Sequence, residues 1–526
     1  MATSSSTKKR DPRMYYVNFQ GIVQRQDPDQ IPEGASPLLI NISVDKPGTW
    51  SKRKGSLLLG TLYAGGMVQG AIEYLSYSGS RAIHSIVDQN YNIFDPTNNV
   101  FNTEETGKFP FSTIVNGVNF LNRVYWVCPI DNAKYESGST MTVWGAGGSE
   151  IHAQNICTAQ QTLFVSNVTS VNNVAQSYQD RVYYSTFKNN MPTDQLYNDS
   201  ETNLVGSTRF FTLLAPVTAS YAYGVTGLSY HFTENSCYSF DISYASNSLG
   251  IQKQFDEGCC GPRAITTCNS WMVWMDAMAR IRGWGGAGPV IPLSWGIEDD
   301  SNGEAIINNI DKTQLSNVAA GSFKNKFYFS IGDLTIQNQT FKNVVIVGLM
   351  TQGIDNVLYT LYSFPWKPVV FFNAKINSTY GLYCGASDGN VYQLEYPAYN
   401  DGGTQPIIAF ANTEFKTAGN YFQTNSIVGI YLKYRPQTTQ ATYLDVSYAV
   451  DSNLTYTSLN KNGKINMFDP KAATVKDSLA MVNGPAQRFK SLSLQVGNSL
   501  LNQGFSISAI AVKPIKGELD LITKAS

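Results

Sequence analysis

Asp388-Gly-Asn-Val-Tyr-Gln-Leu-Glu395 places a polar turn directly before a Tyr-led strand that ends in an acid. A strand, a tight turn and such a returning strand make a β-hairpin. The same arrangement occurs twice more: Asp88-Gln-Asn precedes Tyr91-Asn-Ile-Phe-Asp, and Glu234-Asn-Ser stands ahead of Tyr238-Ser-Phe-Asp. The three tyrosines lie 147 and 154 residues apart, each spacing about three units of roughly 50 residues, the length of a four-stranded propeller blade. A second self-similar set, Asn122-Arg-Val-Tyr-Trp-Val, Asp180-Arg-Val-Tyr-Tyr-Ser and Asn325-Lys-Phe-Tyr-Phe-Ser, starts at intervals of 58 and 145. Repeats at this period predict a ring, because stacking small sheets radially buries both apolar faces of each and leaves only short edges. The competing reading is a sandwich of unrelated hairpins.

Outside these segments apolar residues alternate or cluster in fours to eights between Gly, Asn, Asp and Pro, with almost no 3.6-residue stripes. The fold class read from this is all-β: a β-propeller of five to seven blades, a C-terminal β-sandwich-like domain and an extended N-terminal arm. A short helix is expected only around Ala305 or over Lys312 to Val318. Residues 1–65 read as the arm and a lead-in strand, 66–398 as the propeller and 399–526 as the sandwich-like domain. The turn-rich Tyr399-Asn-Asp-Gly-Gly-Thr marks the last boundary. Beyond it Ile407 to Phe410, Gly429 to Arg435, Tyr443 to Ala449, Ser491 to Val496 and Phe505 to Val512 read as strands.

Composition narrows the function. Charged residues make up 15% of the 526, against roughly 25% in ordinary globular chains, whereas 31 Tyr and 26 Phe suit pleated, half-buried surfaces. A net charge of −1 leaves no electrostatic footprint for holding nucleic acid by its phosphates. Lys8, Lys9, Arg10 and Arg13 form a basic arm with no apolar stretch after it, unlike a secretory signal. The longest apolar runs, such as Val344 to Met350, are strand-length, so no membrane span is expected. Seven cysteines, an odd number scattered through a long chain, read as reduced and mostly buried thiols. Six Asn-x-Ser/Thr sites, beginning at Asn41, Asn167, Asn198, Asn338, Asn377 and Asn453, are what chance gives in an Asn- and Thr-rich chain.

Motifs for chemistry are few. Gly385-Ala-Ser387-Asp-Gly389 matches a nucleophile elbow, but a strand follows it, and the histidines, His84, His152 and His231, all precede Ser387. Gly258-Cys-Cys-Gly-Pro-Arg263, with Cys268, lacks the paired spacing of a zinc site and reads as a tight turn entering a blade. Glu298-Asp-Asp-Ser-Asn-Gly303 lacks the EF-hand ligand order. Gly145-Ala-Gly-Gly148 and Gly283-Trp-Gly-Gly-Ala-Gly288 open no helix and read as turns. No carboxylate pair for glycoside hydrolysis stands out. A non-enzymatic chain without metal or cofactor is therefore expected. Trp50-Ser-Lys-Arg-Lys-Gly55 is basic beside an aromatic, as a nucleic-acid contact would be, although a solvated turn is the commoner explanation.

Val17-Asn-Phe-Gln-Gly-Ile, Ile31-Pro-Glu-Gly-Ala-Ser-Pro, Asn41-Ile-Ser-Val and Gly48-Thr-Trp-Ser-Lys-Arg-Lys-Gly55 together resemble the opening of phage virion propeller proteins. Gly224-Val-Thr-Gly-Leu to Asn235-Ser-Cys-Tyr-Ser-Phe, and Tyr380-Gly-Leu-Tyr-Cys-Gly-Ala-Ser-Asp-Gly-Asn-Val-Tyr-Gln-Leu, look like blades of that group. In overall layout the chain resembles the tail nozzle and DNA-stabilisation (head-completion) proteins of short-tailed phages. The resemblance implies a ring of six copies coaxial with portal and adaptor, contacts with tail fibre proteins, and a genome channel closed until ejection. It further implies transient contact with DNA, assembly in the host cytoplasm and residence in the virion tail. It brings no catalytic residues. Trp50, Lys52, Arg53 and Lys54 are then expected at subunit or portal-side contacts. The main alternative is a receptor- or carbohydrate-binding tail propeller with exposed aromatics.

Overall fold

A computed structural model of the chain describes residues 13–25, 30–60, 66–137, 139–144, 150–171, 174–185, 210–243, 248–298, 305–351, 356–417, 423–435, 442–459, 464–467, 478–483 and 488–519. Lys8, Lys9, Arg10, Asn198, the glycines of 145–148 and the acidic turn beyond Glu298 lie outside them. Among the described residues the regular structure is strand, with three short 3-10 helices at Ser294–Ile297, Ile307–Asn309 and Lys312–Asn317, the last two where the sequence allowed a helix.

Seven small antiparallel sheets follow one another along the chain. Their first strands are Val68–Leu75, Asn116–Phe120, Ile151–Ala159, Ala219–Tyr223, Ile265–Cys268, Ala319–Phe323 and Pro368–Ile376. Each first strand lies against the next, and Pro368–Ile376 returns to Val68–Leu75, so the seven close a circle around a common axis. This is a seven-bladed β-propeller, and its blades are numbered here in chain order. Tyr91, Tyr238 and Tyr392 fall in the third strands of blades 1, 4 and 7, three blades apart as their spacing predicts. The other repeat family is not a strict repeat. Arg123–Cys128 and Lys326–Ile336 are second strands, whereas Asp180 to Ser185 begins within the third strand of blade 3 and runs just past its end.

Blade 7 takes its fourth strand from the far end of the chain. Gly55–Leu59 pairs antiparallel with Val391–Tyr396, with Leu59 opposite Val391, Leu58 opposite Tyr392 and Leu57 opposite Gln393. The lead-in strand thus belongs to the ring and seals it. Leu59 sits in one apolar cluster with Val68 of blade 1 and Val391 of blade 7, which joins the ring's first and last blades through side chains as well as backbone.

The C-terminal region forms a sandwich of two sheets, and N-terminal strands complete both. One sheet orders Ile42–Ser43, Trp50–Lys52, Ser506–Leu519, Gln423–Tyr434 and Ser478–Asn483, with Met14–Tyr16 also on Ser506–Leu519. The other holds Leu39–Ile40, Ala409–Asn412, Ser491–Asn498 and Tyr443–Val450. Ile430, Leu432, Ile507 and Ile510 of the first share a buried cluster with Leu444, Val446, Leu492 and Leu494 of the second. Ile40 pairs in parallel with Leu361 of blade 6 on one side and antiparallel with Phe410 on the other. Blade 6 and the second sandwich sheet are therefore a single sheet of eleven strands.

Candidate functional site: the propeller axis and the N-terminal weld

All seven first strands line a cavity of about 330 Å³ on the propeller axis. Its polar groups are Asn116, Asn155, Thr158, Ser220, Tyr221 and Arg263, and its lining includes no acidic residue. Arg263 comes from the Gly258-Cys-Cys-Gly-Pro-Arg loop between blades 4 and 5. The loop is wedged so tightly that a Cβ on Gly258 would lie 1.9 Å from the Glu234 carbonyl oxygen, and one on Gly261 2.7 Å from that of Ser316. Only glycine fits at either position. So held, the Arg263 guanidinium reaches across the axis. Nε donates to Asn116 Oδ1 (2.8 Å), one terminal nitrogen to the Val369 carbonyl (3.1 Å), and the other to the carbonyls of Gln69 (2.6 Å) and Val115 (2.8 Å). One side chain delivered at blade 5 thus ties blades 1 and 2 to the strand entry of blade 7. Burial pushes its pKa down to about 9, so it remains a cation at neutral pH, balanced by carbonyl dipoles rather than by a carboxylate.

The double cysteine serves this wedge. Cys259 is fully buried, its Sγ 3.4 Å from the Gly261 carbonyl, and burial pushes the Cys259 and Cys268 thiols up to about 12 and Cys128 up to about 11. Thiols held protonated in this way are poor metal ligands and poor nucleophiles. All seven cysteines are free, and no cluster of metal-ligating residues occurs among the described residues. Ser387 lies on a turn between two strands, not before a helix, and its Oγ accepts from the Lys367 N–H (3.1 Å). No helix among the described residues is long and apolar enough to cross a membrane.

The basic segment is neither a solvated turn nor, for three of its four residues, a surface. Trp50 is buried, stacked on Phe19 at 4.0 Å, with Nε1 donating to the Gln20 carbonyl at 2.8 Å. The Lys52 ammonium is likewise buried, donating to Asn498 Oδ1 and the Leu500 carbonyl. Arg53 is 1% exposed and grips Asp401 through two N–H groups at 3.0 and 2.5 Å. Its remaining donors go to Asn41 Oδ1 and the carbonyls of Lys54 and Ser363, and its plane lies 4.3 Å over the Phe364 ring. The expected contact role for Trp50, Lys52 and Arg53 is thereby corrected: their surfaces are spent inside the chain, where they weld arm, blade 6 and sandwich together. Lys54 alone of the four is exposed. Gly55 ends the run because a Cβ there would lie 1.9 Å from the Asn400 carbonyl oxygen.

No protein-family model and no curated protein matches the sequence. Among solved structures, the chain is similar to BamB from Moraxella catarrhalis at 10% identity and a TM-score of 0.38, over 65% of this chain and 97% of that one. It is similar to U3-55K at 9% identity and a TM-score of 0.39, over 65% and 98%. Likeness at that level transfers no function, and the propeller assignment rests on the closed circle of sheets.

Proposed function

We propose that the chain is a non-enzymatic structural subunit of a phage tail, one of six copies in a nozzle or hub ring that forms and gates the DNA channel. The phage assignment rests on the likeness of residues 17–55 and of two blades to virion propeller proteins. The structural observation that favours a wall element is the sealed axis. An axis with about 330 Å³ of free space, crossed by one arginine, has no room for a DNA duplex. In this reading the conduit runs between copies, and each propeller is a block in its wall. Portal and adaptor meet one end of the ring, tail fibre proteins decorate it, and DNA slides past a near-neutral surface without strong phosphate contacts.

Mass photometry and negative-stain imaging of the purified chain, alone and mixed with virion fractions, test this directly. Closed rings of six, or density on the tail axis, are the expected outcome. Monomers or trimers that bind host glycans and label the tail periphery would replace it with the receptor-binding reading. That second reading has one observation in its favour: Tyr77 and Tyr380 stand exposed near the first hairpins of neighbouring blades 1 and 7, where aromatic faces could stack on sugars.

A further inference from the structure

Lys52 lies in one sheet of the sandwich and Asn498 ends a strand of the other, 446 positions away. Their side chains meet across the layer, with Nζ 2.8 Å from Asn498 Oδ1, and the residues are 2% and 3% exposed. The Leu500 carbonyl accepts from the same amine at 3.1 Å, while the Gln503 carbonyl accepts from Asn498 Nδ2 at 3.4 Å. Among the described residues no carboxylate pairs with this lysine; Asp401, whose charge reaches it, is engaged by Arg53. A buried ammonium left without a counter-charge is strongly disfavoured.

We propose that Lys52 and Asn498 form an intramolecular isopeptide bond bolting the two sheets together. The neutral amine attacks Asn498 Cγ, the new C–Nζ bond forms, and the C–Nδ2 bond breaks. One proton passes from Nζ to Nδ2, which leaves as ammonia, so no oxidant, reductant or co-reactant is needed. Three features favour the step. Burial, reinforced by the neighbouring Arg53 charge, pushes Lys52 down to about 7 and frees its lone pair near neutral pH. Fixed proximity can supply effective concentrations on the order of 10⁵ M or more. The product also removes the unpaired buried charge, because an amide replaces an ammonium.

The test is the intact mass of the full chain under denaturing, reducing conditions, followed by fragmentation of a protease digest. The expected result is a mass short by one ammonia and a branched peptide joining the segments that contain Lys52 and Asn498. Lys52→Arg and Asn498→Ala should each restore the full mass. A wild-type chain at its full sequence mass overturns the proposal, whether or not either variant folds. An ammonia loss that maps to a succinimide at Asn116, Asn302, Asn462 or Asn483, each followed by Gly, overturns it equally.

Discussion

Arg53 and Asp401 show how a single pair can hold a junction. The bidentate contact is nearly water-free, and all five guanidinium hydrogens are used. Truncating one partner strands the other's charge, so Arg53→Leu or Asp401→Leu should each cost about 3–5 kcal/mol, read as a shift in urea midpoint. The double substitution should cost much less than the sum; full additivity would mean the pair is not coupled. His231 gives a second residue-scale expectation. It is buried between Ser220 Oγ (2.9 Å) and Ser229 Oγ (3.2 Å), against the rings of Phe164 and Phe240, and burial pushes its pKa down to about 3. The unfolded imidazole, near 6.5, binds a proton that the folded one refuses. Stability from this group is therefore constant above about pH 6.5 and falls by about 1.4 kcal/mol per pH unit toward pH 3. Urea titrations at several pH values should show a shallower acid loss for His231→Gln than for wild type. Parallel curves would assign the acid sensitivity elsewhere.

At the scale of elements, the borrowed strand of blade 7 carries the clearest consequence. Leu59→Asp puts a charge into the cluster it shares with Val68 and Val391 and should open the seam between blades 1 and 7. Hydrogen exchange should then rise in Val391–Tyr396 and Val68–Leu75 well before blade 4 responds; uniform loss of protection would argue against a local latch. The sequence announced some elements and concealed others for a physical reason. Hairpins are local, so the turn-Tyr-acid pattern marked the third strands of blades 1, 4 and 7 directly. Gly55–Leu59 finds its partner more than three hundred residues later, and long-range pairing leaves no local periodicity to read. Lys52 and Arg53 were misleading because charge runs usually face water; their partners, Asn498 and Asp401, lie 446 and 348 positions further along the chain. Arg263 stood inside a conspicuous motif, but nothing near it in sequence says that it crosses an axis.

For the whole molecule, the eleven-stranded sheet decides how the parts behave. Blade 6 and the sandwich share backbone ladders through Leu39–Ile40, so the two should not melt independently. Calorimetry should give one principal transition, whereas two well-separated ones would show that the shared strand is energetically minor. Arg263→Leu should lower that transition, since it removes four charge-assisted hydrogen bonds worth roughly 1.5–3 kcal/mol each before relaxation. An unchanged transition, with blades 1, 2 and 7 as protected from hydrogen exchange as in wild type, would contradict a tying role.

The strand that completes blade 7 also sets a schedule for synthesis. Gly55–Leu59 leaves the ribosome well before Val391–Tyr396 and cannot complete that pairing until the later strand emerges, a wait on the order of tens of seconds at ordinary translation rates. Met14–Tyr16 waits longer still, for Ser506–Leu519. A chain halted before Val391–Tyr396 keeps an open ring, and one halted before Ser506–Leu519 keeps a half-made sandwich.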